Sequence, residues 1–333
     1  MTKKPEKIEI ETSYGLVVRE NDLYYKKNSK IPFTGIMKAE SPLPHIQSFK
    51  NGKLHGSGEI WGEYGHPIEK REYKNGKPEG LSKYYFKNGL LESMGEYKKG
   101  ERDGLWMFYF SQDDGLYEPL DHHLRSNKIR SKKNYKNGKF HGLLEVFHEN
   151  GQLESKENFV NGKQHGLQEK YFDEGKLESK ENYKDGKRHG YSMYYTRGFR
   201  LWQRKYHKDG WLHGPWELYY ANSQLMFKLN YEEGRREGLQ VSYYENGQLG
   251  SKANIKGGKL DGTYENFYEN GQLESKENFV NGKQHGHPKW FYKNGKPRSL
   301  ENFDNRKIQG PQKWIRKVKQ KEGLFRIYWP KHW

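Results

Sequence analysis

Histidine stands before glycine at His55, His141, His165, His189, His213 and His285. Imidazoles held in register are the material of metal centres and of acid–base catalysis. Asp121, His122 and His123 offer the same chemistry in another form, a carboxylate beside two adjacent imidazoles. A third candidate is the C-terminal stretch KWIRKVKQKEGLFRIYWPKHW, Lys313–Trp333. There Trp314, Arg316, Lys317 and Trp329 mix cations with rings, as phosphate contact and base stacking require.

What these residues can do depends on the elements that carry them, and those elements follow a repeat. Turn-like glycines fall at Gly52, Gly76 and Gly100, then at Gly138, Gly162, Gly186, Gly210, Gly234, Gly258 and Gly282, in steps of 24. The one wider gap adds 14 residues around Ser111–Ser126. A degenerate last copy is DNRK, Asp304–Lys307. ENGQLESKENFVNGKQHG occurs at Glu149–Gly166 and again at Glu269–Gly286, 120 residues or five steps later. A second turn glycine follows the first by thirteen residues in most repeats. At Gly198 the offset is twelve, which predicts one residue redistributed between the two strands, with Tyr206 a place early to match.

Between turns the text alternates as strands do. Leu167 and Tyr171 share one face, and Leu177 and Tyr183 share a face of the next strand. Asn-Gly and Asp-Gly are the strongest hairpin signals. About four glycines per repeat, each costing about 1 kcal/mol in a helix, exclude the helical reading. The prediction is all-β: an elongated antiparallel meander of about eleven hairpins with a 24-residue period, forming a single-layer twisted sheet. Residues 1–45 read as an N-terminal cap with first hairpin-like strands. Residues 46–308 read as the repeat array with its insertion near 111–126, and 309–333 as a basic, aromatic C-terminal cap.

On such a sheet the histidines one repeat apart are two strands apart, about 9.6 Å. Zn–N bonds are about 2.0–2.1 Å, so neighbouring imidazoles cannot share a metal. Other repeats place Glu79, Asp103, Glu237 or Asp261 there, which suits a polar position beside a turn. His122 and His123 would face opposite ways on a strand, and no third ligand or nucleophile is implied, so an exposed loop is the reading. The ESKEN segments read as solvated strand whose charges pair across strands. Trp314, Ile315 and Val318 with Leu324, Ile327 and Trp329 suit a closing hairpin, with anion binding as the alternative. No phosphate-cradling loop or nucleophile elbow is present. The expectation is a protein that is not an enzyme and needs no cofactor.

Composition agrees with a thin, ordered structure. Only 32% of 333 residues are hydrophobic and mean hydropathy is −1.24, yet there are 26 Tyr, 16 Phe and 9 Trp. Disordered chains are poor in aromatics. The formal charge of +17 favours acidic partners. From Lys296 to Trp333 eleven basic residues face three acidic ones. Absence of cysteine excludes disulfides and thiolate chemistry and suits a reducing compartment. No apolar signal-like run opens the sequence, so a cytoplasmic location is expected.

The phrase YKNGKPEGLSKYYFKNGLLE, Tyr73–Glu92, resembles the variant MORN repeat. Arrays of it after a segment like NDLYYKKNSKIPFTG, Asn21–Gly35, are similar to the bacterial YwqK family. That resemblance covers roughly residues 20–308 and implies an antitoxin-like component of a toxin–antitoxin system. It makes a protein partner, such as a cognate toxin, the first expectation. Nucleic acid or an anionic lipid surface, met through the C-terminal segment, is the second. The partner-binding residues expected are Tyr171, Tyr183, Trp202, Trp211, Trp216, Trp314, Arg316, Lys317 and Trp329.

Overall fold

The computed structural model describes residues 10–11, 15–19, 22–40, 43–111 and 128–298. Over these the chain folds as a large antiparallel sheet of consecutive hairpins, without helices and not closed into a barrel. The degenerate copy at 304–307, the His122–His123 pair and the whole C-terminal segment lie outside the described residues.

One repeat shows why the sequence folds this way. A leading strand, Leu177–Lys184, runs into Asp185–Gly186, and a trailing strand, Lys187–Tyr195, returns. Asp185 and Gly186 have φ of 52° and 82°, the two left-handed conformations of a type I′ turn. Glycine has no Cβ to clash there, and Asp or Asn tolerates the region better than most residues. At the other end the Phe172 amide donates to the Lys176 carbonyl and the Gly175 amide to the Phe172 carbonyl, each at 2.8 Å. This is a type I turn closed by a left-handed residue, Gly175 at φ 77°.

The residue shift predicted around Gly198 does not occur. Lys187–Tyr195 and Leu201–Lys208 keep the usual strand lengths. Phe199, not Gly198, takes the left-handed place, at φ 59°. Its ring stacks on Tyr195 at 5.5 Å and 11°, which offsets part of the backbone cost. His207 fills the tyrosine column instead, while Tyr206 pairs with Tyr191 on the opposite face at 5.0 Å. Ser223 holds the equivalent left-handed place with φ 68° and an exposed side chain. Ser223→Gly should therefore stabilise the protein by about 0.5–1 kcal/mol, read as a raised urea midpoint. The left-handed penalty of about 1–2 kcal/mol is removed, and glycine's extra freedom in the unfolded chain cancels part of the gain.

One hydrogen-bond ladder joins every repeat to the one before it, and two more recur in several repeats. Amides of the tight-turn glycines reach back to the preceding trailing strand, Gly186 to the Gln164 carbonyl and Gly210 to that of Arg188, both at 2.8 Å. Asparagines of the longer turn donate forward through Nδ2: Asn150 to the Asp173 carbonyl at 2.6 Å, Asn246 to Glu269 at 3.0 Å, Asn270 to Lys293 at 2.8 Å. Tyr220, Tyr244 and Tyr268 hydroxyls do the same to Tyr243, Phe267 and Phe291 carbonyls, at 2.8, 2.7 and 2.9 Å. Each ladder needs its donor at one fixed phase, so the 24-residue step is a bonding requirement between neighbours. Stability is a sum of such nearest-neighbour contacts.

The first hairpin has no preceding repeat and is covered by the N-terminal strands Ile10–Glu11, Leu16–Val18 and Tyr24–Lys26. Here the Gly52 amide donates to the Phe33 carbonyl at 2.7 Å, and the Tyr24 amide to the Gly52 carbonyl at 2.9 Å. The segment around Phe33 thus supplies what a trailing strand supplies elsewhere. Leu16, Phe33 and Phe49 form a small core beneath it, with Tyr24, Met37 and Leu54 at its edge.

The single layer has two unlike faces. One carries the lysines of the ESKEN segments and their equivalents, with cross-strand pairs as expected: Lys180 to Glu169 at 3.0 Å, Lys276 to Glu265 at 2.9 Å, and Lys252, in the equivalent GSKAN, to Glu265 at 2.8 Å. We call it the lysine face. The other, the tyrosine face, carries Tyr183 and its equivalents. The ESKEN strand is less solvated than its composition suggests. Its serines, Ser155, Ser179 and Ser275, are 6%, 6% and 0% exposed, lying on the tyrosine face under larger neighbours. Its second glutamate, Glu157 or Glu181, points to that face too.

Candidate functional site

The tyrosine face holds a row of residues five before each tight-turn glycine: Gln47, Arg71, Gly95, Lys133, Glu157, Glu181, Lys205, Leu229, Ala253 and Glu277. Strand pairing sets Lys133 opposite Leu144 and Leu144 opposite Glu157, in a line across three strands. Farther along, Gln168 faces Glu181. A variable, charge-rich row in an otherwise regular sheet is the site candidate.

Glu181 is the most heavily bonded member. It accepts from Tyr183 at 2.6 Å, from Tyr194 at 2.5 Å, and from Arg188 through Nε at 3.0 Å and Nη2 at 2.9 Å. Burial alone would raise its pKa, but the hydroxyl and guanidinium donors outweigh burial and hold the carboxyl below its ordinary range. The same carboxylate pushes Tyr194 and Tyr183 up, after burial as the larger cause. A carboxylate so fully occupied braces the sheet and has no lone pair left for proton abstraction. Its stabilising effect is present above the unfolded value of about 4.3 and is lost as pH falls from there through the lower folded value. Between about pH 5 and pH 3 the wild-type urea midpoint should fall more steeply than that of Glu181→Gln. Equal slopes would mean that the Tyr183–Tyr194–Arg188 cluster contributes nothing to acid sensitivity.

Arg102 and Lys133 present the opposite condition. The Arg102 guanidinium sits 4.2 Å over the Trp106 ring and donates to the Tyr135 hydroxyl at 3.4 Å. Lys133 Nζ lies 4.7 Å from the Phe108 ring centroid. Burial first, then Arg130 and Arg102, lower the Lys133 pKa. Among the described residues no carboxylate pairs with either cation. Glu157 likewise receives only neutral donors, Gln164 Nε2 at 2.9 Å and Ser155 Oγ at 3.4 Å. Beside it a cavity of about 360 Å³ is lined by Glu157, Gln164, Gln168, Glu181, Tyr183 and Arg188, among others. Gln168 is 6% exposed, and its Oε1 is buried without a partner.

The residues expected from sequence do not form one patch. Tyr183 and Trp216 are on the tyrosine face, Trp216 with Lys205 at 5.1 Å over its ring. Tyr171 is on the lysine face, its hydroxyl donating to Glu169 at 3.1 Å. Trp202 lies 6.1 Å from Tyr194. Trp211 flanks a tight turn, 65% exposed, and its indole occupies the space over Gly234. Trp314, Arg316, Lys317 and Trp329 fall outside the described residues. Arg102, Lys133, Glu157 and Gln168 escape a reading that follows aromatic columns. Tabulating the residue types at each phase of the repeat is the signal that finds them.

The histidine column has a structural use. His55 and His141 Nδ1 accept from the turn amides of Asn75 and Asn161, each at 3.5 Å. Glu79 and Glu237 take the same role toward Lys99 and Gly257 at 2.6 and 2.7 Å, and Asp103 toward Asn137 at 3.3 Å. What the position needs is an acceptor, so imidazole and carboxylate alternate there.

Comparison with known proteins bears on this geometry. The model described as "MORN repeat variant" matches residues 78–99, 140–161, 164–185, 212–233, 236–256, 260–281 and 284–305. No curated protein matches the chain. A solved structure described as the crystal structure of TcdB2-TccC3-Cdc42 aligns with 86% of this chain and 19% of its own, at 9% identity and a TM-score of 0.18. This chain thus spans about a fifth of that one, and so loose a likeness carries no argument. The unit that turns at Asn/Asp-Gly and couples to its neighbours by fixed-phase ladders is the MORN repeat variant, and the chain is a MORN-repeat protein.

Proposed function

We propose that the array is a non-enzymatic scaffold that binds a protein partner through its tyrosine face. The observation that carries this reading is the contrast between the two faces. The lysine face neutralises its own charges in cross-strand pairs, whereas Arg102, Lys133 and Glu157 are half-buried without a counter-charge. Half-buried charges left unpaired are costly, and a complementary surface removes that cost. The resemblance of Tyr73–Glu92 and Asn21–Gly35 to the YwqK family supports a cognate toxin as the partner, met in the cytoplasm. No helix among the described residues is long and apolar enough to cross a membrane.

The test is co-purification of the tagged full chain from its native cell, with band stoichiometry measured. A protein retained near one to one, and released by Arg102→Glu with Lys133→Glu, is the expected result. Recovery of no stoichiometric protein overturns the scaffold reading. For the toxin assignment, the chain co-produced with its neighbouring gene product should relieve growth arrest, and unrelieved arrest counts against it.

A further inference from the structure

The unpaired charges also have a spacing. Lys133 and Glu157 occupy the same phase of adjacent repeats, two strands apart, with Leu144 between them. At about 4.8 Å per strand the separation is about 9.6 Å. A polyproline II helix has three residues per turn and rises about 3.1 Å per residue. Its residues i and i+3 therefore point the same way about 9.3 Å apart, while a flat β-strand would turn them to opposite sides. The floor between the two charges suits such a chain. Leu144 stands between the two charges and the half-buried Phe108 ring lies beside Lys133, so proline rings can lie against carbon.

We infer that this part of the tyrosine face reads a proline-rich, extended peptide segment carrying an acidic and a basic side chain three residues apart. This rests on the scaffold reading and names the chemistry its partner would show. The acid meets Arg102 and Lys133 over the Trp106 and Phe108 rings. The base enters the cavity beside Glu157, where Gln168 Oε1 is a buried acceptor awaiting a donor. The alternation of sign separates a peptide from a nucleic-acid strand. A polyanion passing Arg102 and Lys133 would next meet Glu157, like charge against like charge, while Glu181 beyond it is already neutralised by Arg188.

The probes are blocked peptides centred on Glu-Pro-Pro-Arg, Glu-Pro-Pro-Glu and Arg-Pro-Pro-Arg, with Glu-Pro-Arg as a spacing control, titrated against the full chain and followed by NMR. The wild type should bind Glu-Pro-Pro-Arg at least tenfold tighter than the other three. Lys133→Glu should lose that peptide and favour Arg-Pro-Pro-Arg; Glu157→Lys should favour Glu-Pro-Pro-Glu. A gain of the reversed ligand cannot come from misfolding. If wild type and variants bind all four peptides alike, or if an oligothymidylate binds more tightly than any of them, the inference is overturned. Co-purification decides the scaffold reading separately, since a stoichiometric partner can be retained by a chain that does not discriminate these peptides.

Discussion

Trp106→Ala should cost about 3–5 kcal/mol and divide the unfolding of the array into two transitions. The indole is fully buried, which few side chains of a single-layer sheet achieve. It packs edge-on against Tyr97 at 5.1 Å and lies near Tyr84, Phe108 and Tyr135 at 6.1, 6.2 and 6.4 Å. Its Nε1 donates to the Glu96 carbonyl at 3.0 Å. Gly95 makes the burial feasible, because any Cβ there would occupy the indole's place. Coupling in an array passes only between neighbours, so loss of this contact separates the repeats on either side of Glu101–Tyr109. Hydrogen exchange should accelerate in Leu91–Lys98, Glu101–Tyr109 and Ile129–Lys136 while later strands keep their protection. Gly95→Val should destabilise by itself, and combining it with Trp106→Ala should cost less than the sum of the two, since the added branch enters the vacated space. A single transition at the wild-type midpoint would show that the indole couples nothing.

Phe49→Ala should have a comparable local cost, about 3–5 kcal/mol, with a different reach. Phe49 is 4% exposed and contacts Tyr24 and Phe33 rings at 5.0 and 5.7 Å. It belongs to the first hairpin and to the cap together, so its removal frees Leu16–Val18, Tyr24–Lys26 and the segment through Phe33. Terminal units of an array can open while the interior stays folded. The expected record is rapid exchange confined to residues before about 60, with the main unfolding midpoint shifted far less than by Trp106→Ala. A midpoint falling as far as for Trp106→Ala would mean that the array is nucleated at its N-terminal end.

The architecture is legible because its determinants are local. Asp185-Gly186 needs two left-handed residues, Gly175 needs a third, and the phase of each is open to counting. The apparent shift at Gly198 misleads for the same reason. A glycine marks a left-handed place only by preference, and Phe199 holds it with help from Tyr195, a contact invisible in the sequence. ESKEN reads as a solvated strand because three of its five letters are charged. Whether the second glutamate is exposed depends on what stands across from it, and for Glu181 that is Ser192 with Tyr194 and Arg188 nearby. The site depends on such neighbours throughout. Lys133 looks like any other lysine until pairing places it between Trp106 and Leu144. Its significance lies in a missing counter-charge, which composition cannot reveal.

The letter-perfect copies at Glu149–Gly166 and Glu269–Gly286 join with the ladders to a genetic consequence. Unequal crossing-over between two such stretches removes or adds five units as a block and leaves no faulty seam. Each donor at the new junction meets a carbonyl at the same phase as before, and the N-terminal cap is untouched. Length in this protein is thus a heritable setting that can jump in one recombination event, altering how much of a partner is spanned without first passing through an unfoldable ancestor.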